Sequence, residues 1–160
     1  MLTISMEVKK MDKIKVLFLC SRNSARSQMA EAFLKKYGAD RFDTYSAGLE
    51  ASEINPFTIR VMEEKGISMK DHYSKSLDRY LNDRFGFLIT VCSKAEEKCP
   101  FFPGVSIRLH WPFDDPATAA GSEEEKLEIF RRVRDEIEKK VIDFVENTDK
   151  YSNIKDSFKA

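Results

Sequence analysis

The stretch KVLFLCSRNSARSQMAEAF, residues 15–33, constrains the fold of this chain more than any other. Residues 16–20 are apolar at every position rather than at alternate ones, so a strand formed there must be covered on both faces. A short polar stretch follows and ends in Arg26. From Ser27 onward Met29, Phe33 and Tyr37 recur every four residues beside Ala30 and Leu34. That is one helical stripe, closed by Gly38 as a C-terminal cap. A thiol, Cys20, thus stands at the tip of a buried strand, and a guanidinium stands at the mouth of the next helix.

The rest of the chain repeats the alternation. FDTYSAG reads as a second strand ending in a turn. NPFTIRVMEEKG opens a helix with Asn55 as N-cap and Pro56 at the first helical position, and Gly66 stops it. LDRYLNDR reads as a short helix, and GFLITVC and VSIRLHW as further strands. The clearest helix is SEEEKLEIFRRVRDEIEKKVIDFVEN, with Ser122 and Glu125 as a capping box and Leu127, Phe130, Val133, Ile137, Val141 and Phe144 as its apolar face. Strands alternating with helices predict an α/β protein: a single domain over residues 12–146, with a central, mainly parallel, four-stranded sheet flanked by helices. Residues 1–11 are expected to form a flexible N-terminal extension and residues 147–160 a polar C-terminal tail. Ligands of such sheets bind beyond the carboxyl ends of the strands. Cys20 and Cys92 both follow predicted strands, so the two strand ends could share one crevice.

The spacing C-x5-R lets the backbone of Ser21, Arg22, Asn23, Ser24 and Ala25 curl into a cradle whose N–H groups converge on one anion, with the N-terminus of the next helix behind it. Arg26 offers a two-pronged hydrogen-bond fork to an oxyanion. The same field favours a thiolate on Cys20, placed to attack the central atom of a bound oxyanion. Asn23 tolerates a left-handed backbone, and Ser24 and Ser27 could orient the sulfur or cap the helix. A buried structural cysteine is the alternative reading of Cys20.

VCSKAEEKCP needs its own explanation. The residues between Cys92 and Cys99 are good helix formers, and seven helical residues separate their ends by about 10 Å. Disulfide Cα atoms lie about 4.4 to 6.8 Å apart. The two thiols therefore pair only if the segment unwinds, as a reducible switch would. Zinc binding by these cysteines with His72 and His110 does not match the tight ligand pairs of structural sites. Two inert buried cysteines form the other alternative. In HWPFDDPA, Asp114 and Asp115 before Pro116 make a rigid acidic turn, which alone reads as a surface loop.

Composition narrows the classes. Lysine plus arginine equals aspartate plus glutamate at 27 each in 160 residues. No basic excess points to nucleic acid or an anionic membrane, and no apolar stretch approaches the roughly 20 residues of a membrane span. Three cysteines without a secretion signal suggest a reducing, cytoplasmic setting and thiol chemistry rather than a disulfide framework.

VLFLCSRNSARSQMAEAF resembles the phosphate-binding loop of the low-molecular-weight tyrosine phosphatase fold. It is more closely similar to the thioredoxin-coupled arsenate reductases built on that fold, as are YSAG, NPFTIRVM, VCSKAEEKCP, HWPFDDPA and FRRVRDEI. The resemblance implies that Cys20 attacks arsenate, that Cys92 attacks Cys20 and releases arsenite, and that Cys99 attacks Cys92. Thioredoxin, as external reductant, then reduces the Cys92–Cys99 bridge. It implies Cys20, Arg26, Asp115, Cys92 and Cys99 as catalytic residues, Asp115 being the general acid and Asp114 a loop-orienting residue. Residues 21–27 bind the oxyanion, with phosphate or sulfate as competing anions. No bound cofactor or metal and no oligomer is implied; the expected enzyme is a monomer.

Some relatives hold potassium beside the cradle with residues matching Asn23, Glu31, Ser46 and an acidic residue. Here that last position falls at Lys75, whose ammonium would neutralise Glu31 directly. Arg22 and Ala25 also depart from the common loop. The competing functions are a low-molecular-weight tyrosine phosphatase, which has no use for Cys92 and Cys99, and a non-catalytic anion-binding module, which has no use for the thiol of Cys20.

Overall fold

The computed structural model describes residues 13–152. The extension at residues 1–11 and the end of the predicted tail, residues 153–160, lie outside the described residues. Four strands, β1 (Ile14–Cys20), β2 (Phe42–Gly48), β3 (Phe85–Thr90) and β4 (Val105–His110), alternate with five helices: α1 (Arg26–Gly38), α2 (Pro56–Glu63), α3 (Ser93–Lys98), α4 (Glu123–Glu146) and α5 (Thr148–Ser152). Two single 3-10 turns, Leu77–Tyr80 and Pro116–Thr118, complete the order.

The sheet runs β2-β1-β3-β4 and every pairing is parallel. β1 and β3 are therefore central, and their apolar runs are buried from Val16 to Cys20 and from Phe87 to Thr90. Leu19 pairs with Thr90, and Val91 N–H donates to the Leu19 carbonyl at 2.9 Å. The register carries Cys20 and Cys92 to the same end of adjacent strands. Because β1 leads out toward β2 and β3 leads out toward β4, the crevice opens between them, at the switch point of the sheet.

The local signals act as the residues dictate. Asn55 accepts from Phe57 N–H at 2.9 Å, with Pro56 at the first helical position. Gly66 adopts φ 74°, and Ile67 N–H reaches back to the Met62 carbonyl at 3.1 Å, closing α2 with a left-handed cap. Ser122 and Glu125 form both halves of the capping box on α4. The apolar face of α4 meets the sheet through Phe144, whose ring lies 5.2 Å from Phe42, 5.0 Å from Phe87 and 5.5 Å from Trp111.

Three expectations need correction. Gly38 is the last residue of α1 rather than its cap, which falls on Ala39 in right-handed backbone. LDRYLNDR forms only the 3-10 turn Leu77–Tyr80, because Tyr80 is drawn onto Tyr45 and Phe85, with ring centroids at 5.6 and 6.0 Å. Residues 148–152 are not a loose tail: α5 buries Tyr151 against Trp111 at 5.8 Å and Phe144 at 5.3 Å. Arg41 ties the start of α5 to the start of β2 by donating to Thr148 Oγ1 at 2.9 Å. An aromatic residue in a polar segment was the signal. Tyr151→Ala is expected to destabilise the fold by about 3 kcal/mol, read as a lower urea midpoint at unchanged slope.

Candidate active site

Five loop residues connect β1 to α1, and nearly all their backbone carbonyls are taken from outside. Leu49 N–H donates to Cys20 O at 3.0 Å, Glu50 N–H to Ser21 O at 3.2 Å, and Asn55 N–H to Ser24 O at 3.1 Å. Ser74 and Ser52 hydroxyls donate to Arg22 O at 2.9 and 3.2 Å, and Gln28 Nε2 to Asn23 O at 3.2 Å. The carbonyl side thus faces the protein, which leaves the N–H side for the cavity. Gly48 is required where β2 meets the loop: a Cβ there would lie 2.7 Å from both Arg22 C and Asn23 N.

The curl is set by Asn23, fully buried at φ 54°. Its Nδ2 donates to Ser27 Oγ at 2.8 Å and Ser46 Oγ at 2.9 Å. Its Oδ1 accepts from Gln28 Nε2 at 2.8 Å and Lys75 N–H at 2.9 Å. Helix α1 starts at Arg26, one residue earlier than the sequence indicated, with Ala25 at the N-cap and no capping side chain. Neither Ser24 nor Ser27 caps it. Its first N–H groups are left for an anion.

A cavity of about 810 Å³ opens over this loop. Of the predicted oxyanion-binding residues, Ser21, Arg22, Ser24, Ala25 and Arg26 line it. Asn23 and Ser27 do not: their side chains lie behind the loop and hold each other. Lys94 also lines the cavity. Sequence reasoning missed it, although its place two residues after Cys92 was the available signal. Arg26 is buried; its Nη1 donates to Phe113 O at 3.1 Å, and its Nη2 lies 3.5 Å from Asp115 Oδ2. Asp115 Oδ1 in turn accepts from Ala117 N–H at 3.0 Å, so the carboxyl is held at the cavity wall. Asp114 points away, to Arg132 Nη1 at 3.3 Å.

Cys20 and Cys92 are both buried, and their thiols hydrogen-bond to one another. This changes the expected charge. Cys20 is pushed well above the ordinary thiol range, first by that bond and then by burial, despite Arg26. Cys92 is lowered to about 5 by the bond from Cys20, against the effect of its burial, and Ala95 N–H and Arg26 lower it further. Ala95 N–H donates to Cys92 Sγ at 3.3 Å, making the sulfur the N-cap of α3. The pair shares one proton and one negative charge, with Cys92 the more acidic partner. Cys99 caps the other end of the six-residue helix, half-buried, and burial pushes its thiol up. All three cysteines are free.

Behind the loop, Ser46 Oγ donates to Glu31, Lys35 Nζ lies 2.6 Å from Glu31 Oε2, and Lys75 Nζ lies 3.8 Å from Glu31 Oε1. Lys75 is buried and donates to Tyr73 O at 2.7 Å. Its ammonium fills the position opposite Glu31, so the residues present do not fit an added monovalent cation. Among the described residues, no group of three or more His, Cys, Asp or Glu is arranged to hold a metal.

Residues 15–154 match the family model described as low molecular weight phosphotyrosine protein phosphatase. The chain is 46% identical over 136 residues to an arsenate reductase of Halalkalibacterium halodurans, covering 85% of this chain and 98% of that protein. It is 44% identical over 131 residues to an arsenate reductase of Bacillus subtilis, covering 82% and 94%. A solved arsenate reductase in the phosphate binding state superposes with a TM-score of 0.72 at 34% identity, covering 83% of this chain and 97% of that one.

Because Cys92 is lowered to about 5 and Cys20 is raised, thiolate ultraviolet absorbance is expected to appear as pH rises through about 5 and to persist above it, with no second step from this pair until well past the ordinary thiol value. Two steps near that ordinary value would contradict the shared proton.

Proposed function

Because the chain belongs to the low molecular weight phosphotyrosine protein phosphatase family, we propose that it reduces arsenate to arsenite by a relay through Cys20, Cys92 and Cys99, regenerated by thioredoxin. The observation that carries this reading is the placement of two buried thiols, Cys20 and Cys92, at the same end of the adjacent strands β1 and β3, with Cys20 lining the cavity. Phosphoester hydrolysis needs the first thiol alone. The curated relatives named above, arsenate reductases over nearly their whole length, support the same reaction.

The shared proton lets the pair present a thiolate on either sulfur. Arsenate enters the cradle against Arg26 and the N–H groups; Cys20 attacks arsenic, and one oxygen leaves as water, protonated from Asp115. Cys92 thiolate then attacks the Cys20 sulfur. The S–As bond breaks with its electron pair on arsenic, so As(V) becomes As(III), arsenite departs and a Cys20–Cys92 disulfide remains. Cys99 attacks Cys92 next and expels Cys20 as thiolate, moving the disulfide outward without net redox change. An external dithiol supplies the two electrons. Phe101, 85% exposed and two residues beyond Cys99, gives a protein reductant an apolar contact there. The enzyme would work as a cytoplasmic monomer.

Residual phosphatase activity is a second reading, since the cradle, Arg26 and Asp115 serve that chemistry too. Among the described residues lining the cavity none is aromatic, which disfavours stacked aryl esters.

Arsenate-dependent NADPH oxidation with purified thioredoxin and thioredoxin reductase tests the relay. Wild type is expected to turn over, Cys20→Ser to be inactive and Cys99→Ser to stop after one arsenite per chain. Phosphatase activity that survives Cys99→Ser, without arsenate turnover, would overturn the reductase reading. Asp115→Asn is expected to lower kcat by about 10² to 10⁴ with little change in KM, as loss of a general acid does.

A further inference from the structure

Helix α3 spans only Ser93–Lys98 and buries one of its residues, Ala95. A helix this short does not hold itself together in water. Its middle residue, Glu96, is gripped from the sheet. Thr90 Oγ1 donates to Glu96 Oε2 at 2.5 Å. Arg108 Nη2 donates to the Glu96 carbonyl at 2.9 Å and lies 3.4 Å from Oε2. His110 Nδ1 lies 2.9 Å from Thr90 Oγ1 and 3.8 Å from Glu96 Oε2. Thr90 has one hydroxyl proton; given to the carboxylate, the shortest of its contacts, it leaves the oxygen to accept from His110 in the Nδ1–H tautomer. The Glu96 carbonyl is one of the last four of the helix, which have no partner within it, and Arg108 supplies one.

Thr90, Arg108 and His110 stand at the carboxyl ends of β3 and β4. Together they fasten the residue midway between two cysteines that must approach each other. A Cys92–Cys99 disulfide requires Cα atoms about 4.4 to 6.8 Å apart, whereas seven helical residues span about 10 Å. Closing that gap unwinds α3 and pulls Glu96 away from Thr90 and Arg108.

We infer that Glu96, held by Thr90, Arg108 and His110, is a positioning residue that latches α3 in its dithiol form and thereby raises the reduction potential of the Cys92–Cys99 couple. The inference rests on the relay proposed above. Cys99 attacks Cys92 in the Cys20–Cys92 disulfide; the new bond is Cys92–Cys99 and the leaving group is the Cys20 thiolate. The latch opens in that step. It closes again when an external dithiol gives two electrons to the Cys92–Cys99 bond and is itself oxidised to a disulfide. Because the latch stabilises the dithiol form alone, it makes the outward disulfide easier to reduce.

The test equilibrates the full chain in glutathione redox buffers and maps the disulfide by peptide mass in wild type, Glu96→Gln and Arg108→Gln. Each variant is expected to favour the disulfide about ten-fold more than wild type, a shift of about 30 mV to more negative potential. The two substitutions separate the latch from simple electrostatics. Glu96 raises the Cys99 thiol and Arg108 lowers it, so effects carried by Cys99 ionisation would move the two potentials in opposite directions. Retained phosphate binding at the cradle shows that each variant is folded. Opposite shifts, or none, with a Cys92–Cys99 bridge in wild type would overturn the latch and leave the relay standing. Absence of that bridge in wild type would overturn the relay, and the latch with it.

Discussion

The site depends on one buried side chain. Asn23 holds the loop between β1 and α1 in a left-handed bend that most residues resist, and all four of its amide hydrogen-bonding contacts are made within the protein. Its donors tie the loop to α1 and β2, and its acceptor ties it to the segment carrying Lys75. The adjacent carbonyls are claimed by residues 49–58 and 74, so the loop cannot relax by rotating its peptides. The face turned to the cavity is thus what a fully satisfied network on the opposite side leaves open. Behind that network, Glu31 with Ser46, Lys35 and Lys75 supplies a charge balance internal to the chain. A buried carboxylate left without such partners would cost several kcal/mol.

The second dependence is topological. Parallel pairing of β1 with β3 sets Cys20 and Cys92 side by side, though 72 positions separate them in the numbering (92 − 20). Their proximity raises Cys20 and lowers Cys92. For the proposed relay, Cys92, lowered beside Cys20, the Ala95 N–H and Arg26, is a suitable second nucleophile. Cys99, across a six-residue helix, is withheld from the pair by geometry rather than by chemistry.

Much of this was legible in the residues. The apolar run of β1, the Asn55–Pro56 helix start, the Gly66 stop and the Ser122–Glu125 capping box are local devices, decided within one turn of chain, and the structure contains each of them. Cys20 and Arg26 were legible as candidates because strand, loop and helix follow one another in a fixed order, whereas the roles of Asp115, Cys92 and Cys99 came from the family resemblance alone. Local patterns were weaker guides to Tyr80 and Tyr151, where docking onto distant aromatic rings decided the backbone. The grip on Glu96 was invisible for the same reason: its partners come from β3 and β4.

By itself the sequence determined the alternation of strands and helices, the ends of most helices and the presence of a C-x5-R loop able to curl around an anion. These follow from side-chain periodicity, capping and backbone preference, which act between near neighbours. The tertiary structure decided that the Cys20 and Cys92 thiols shift each other's ionisation, which loop residues face the cavity and which stand behind it, and what holds the helix between Cys92 and Cys99. Those properties depend on desolvation and on hydrogen bonds between residues far apart in the chain, and they exist only once the sheet has brought the strand ends together.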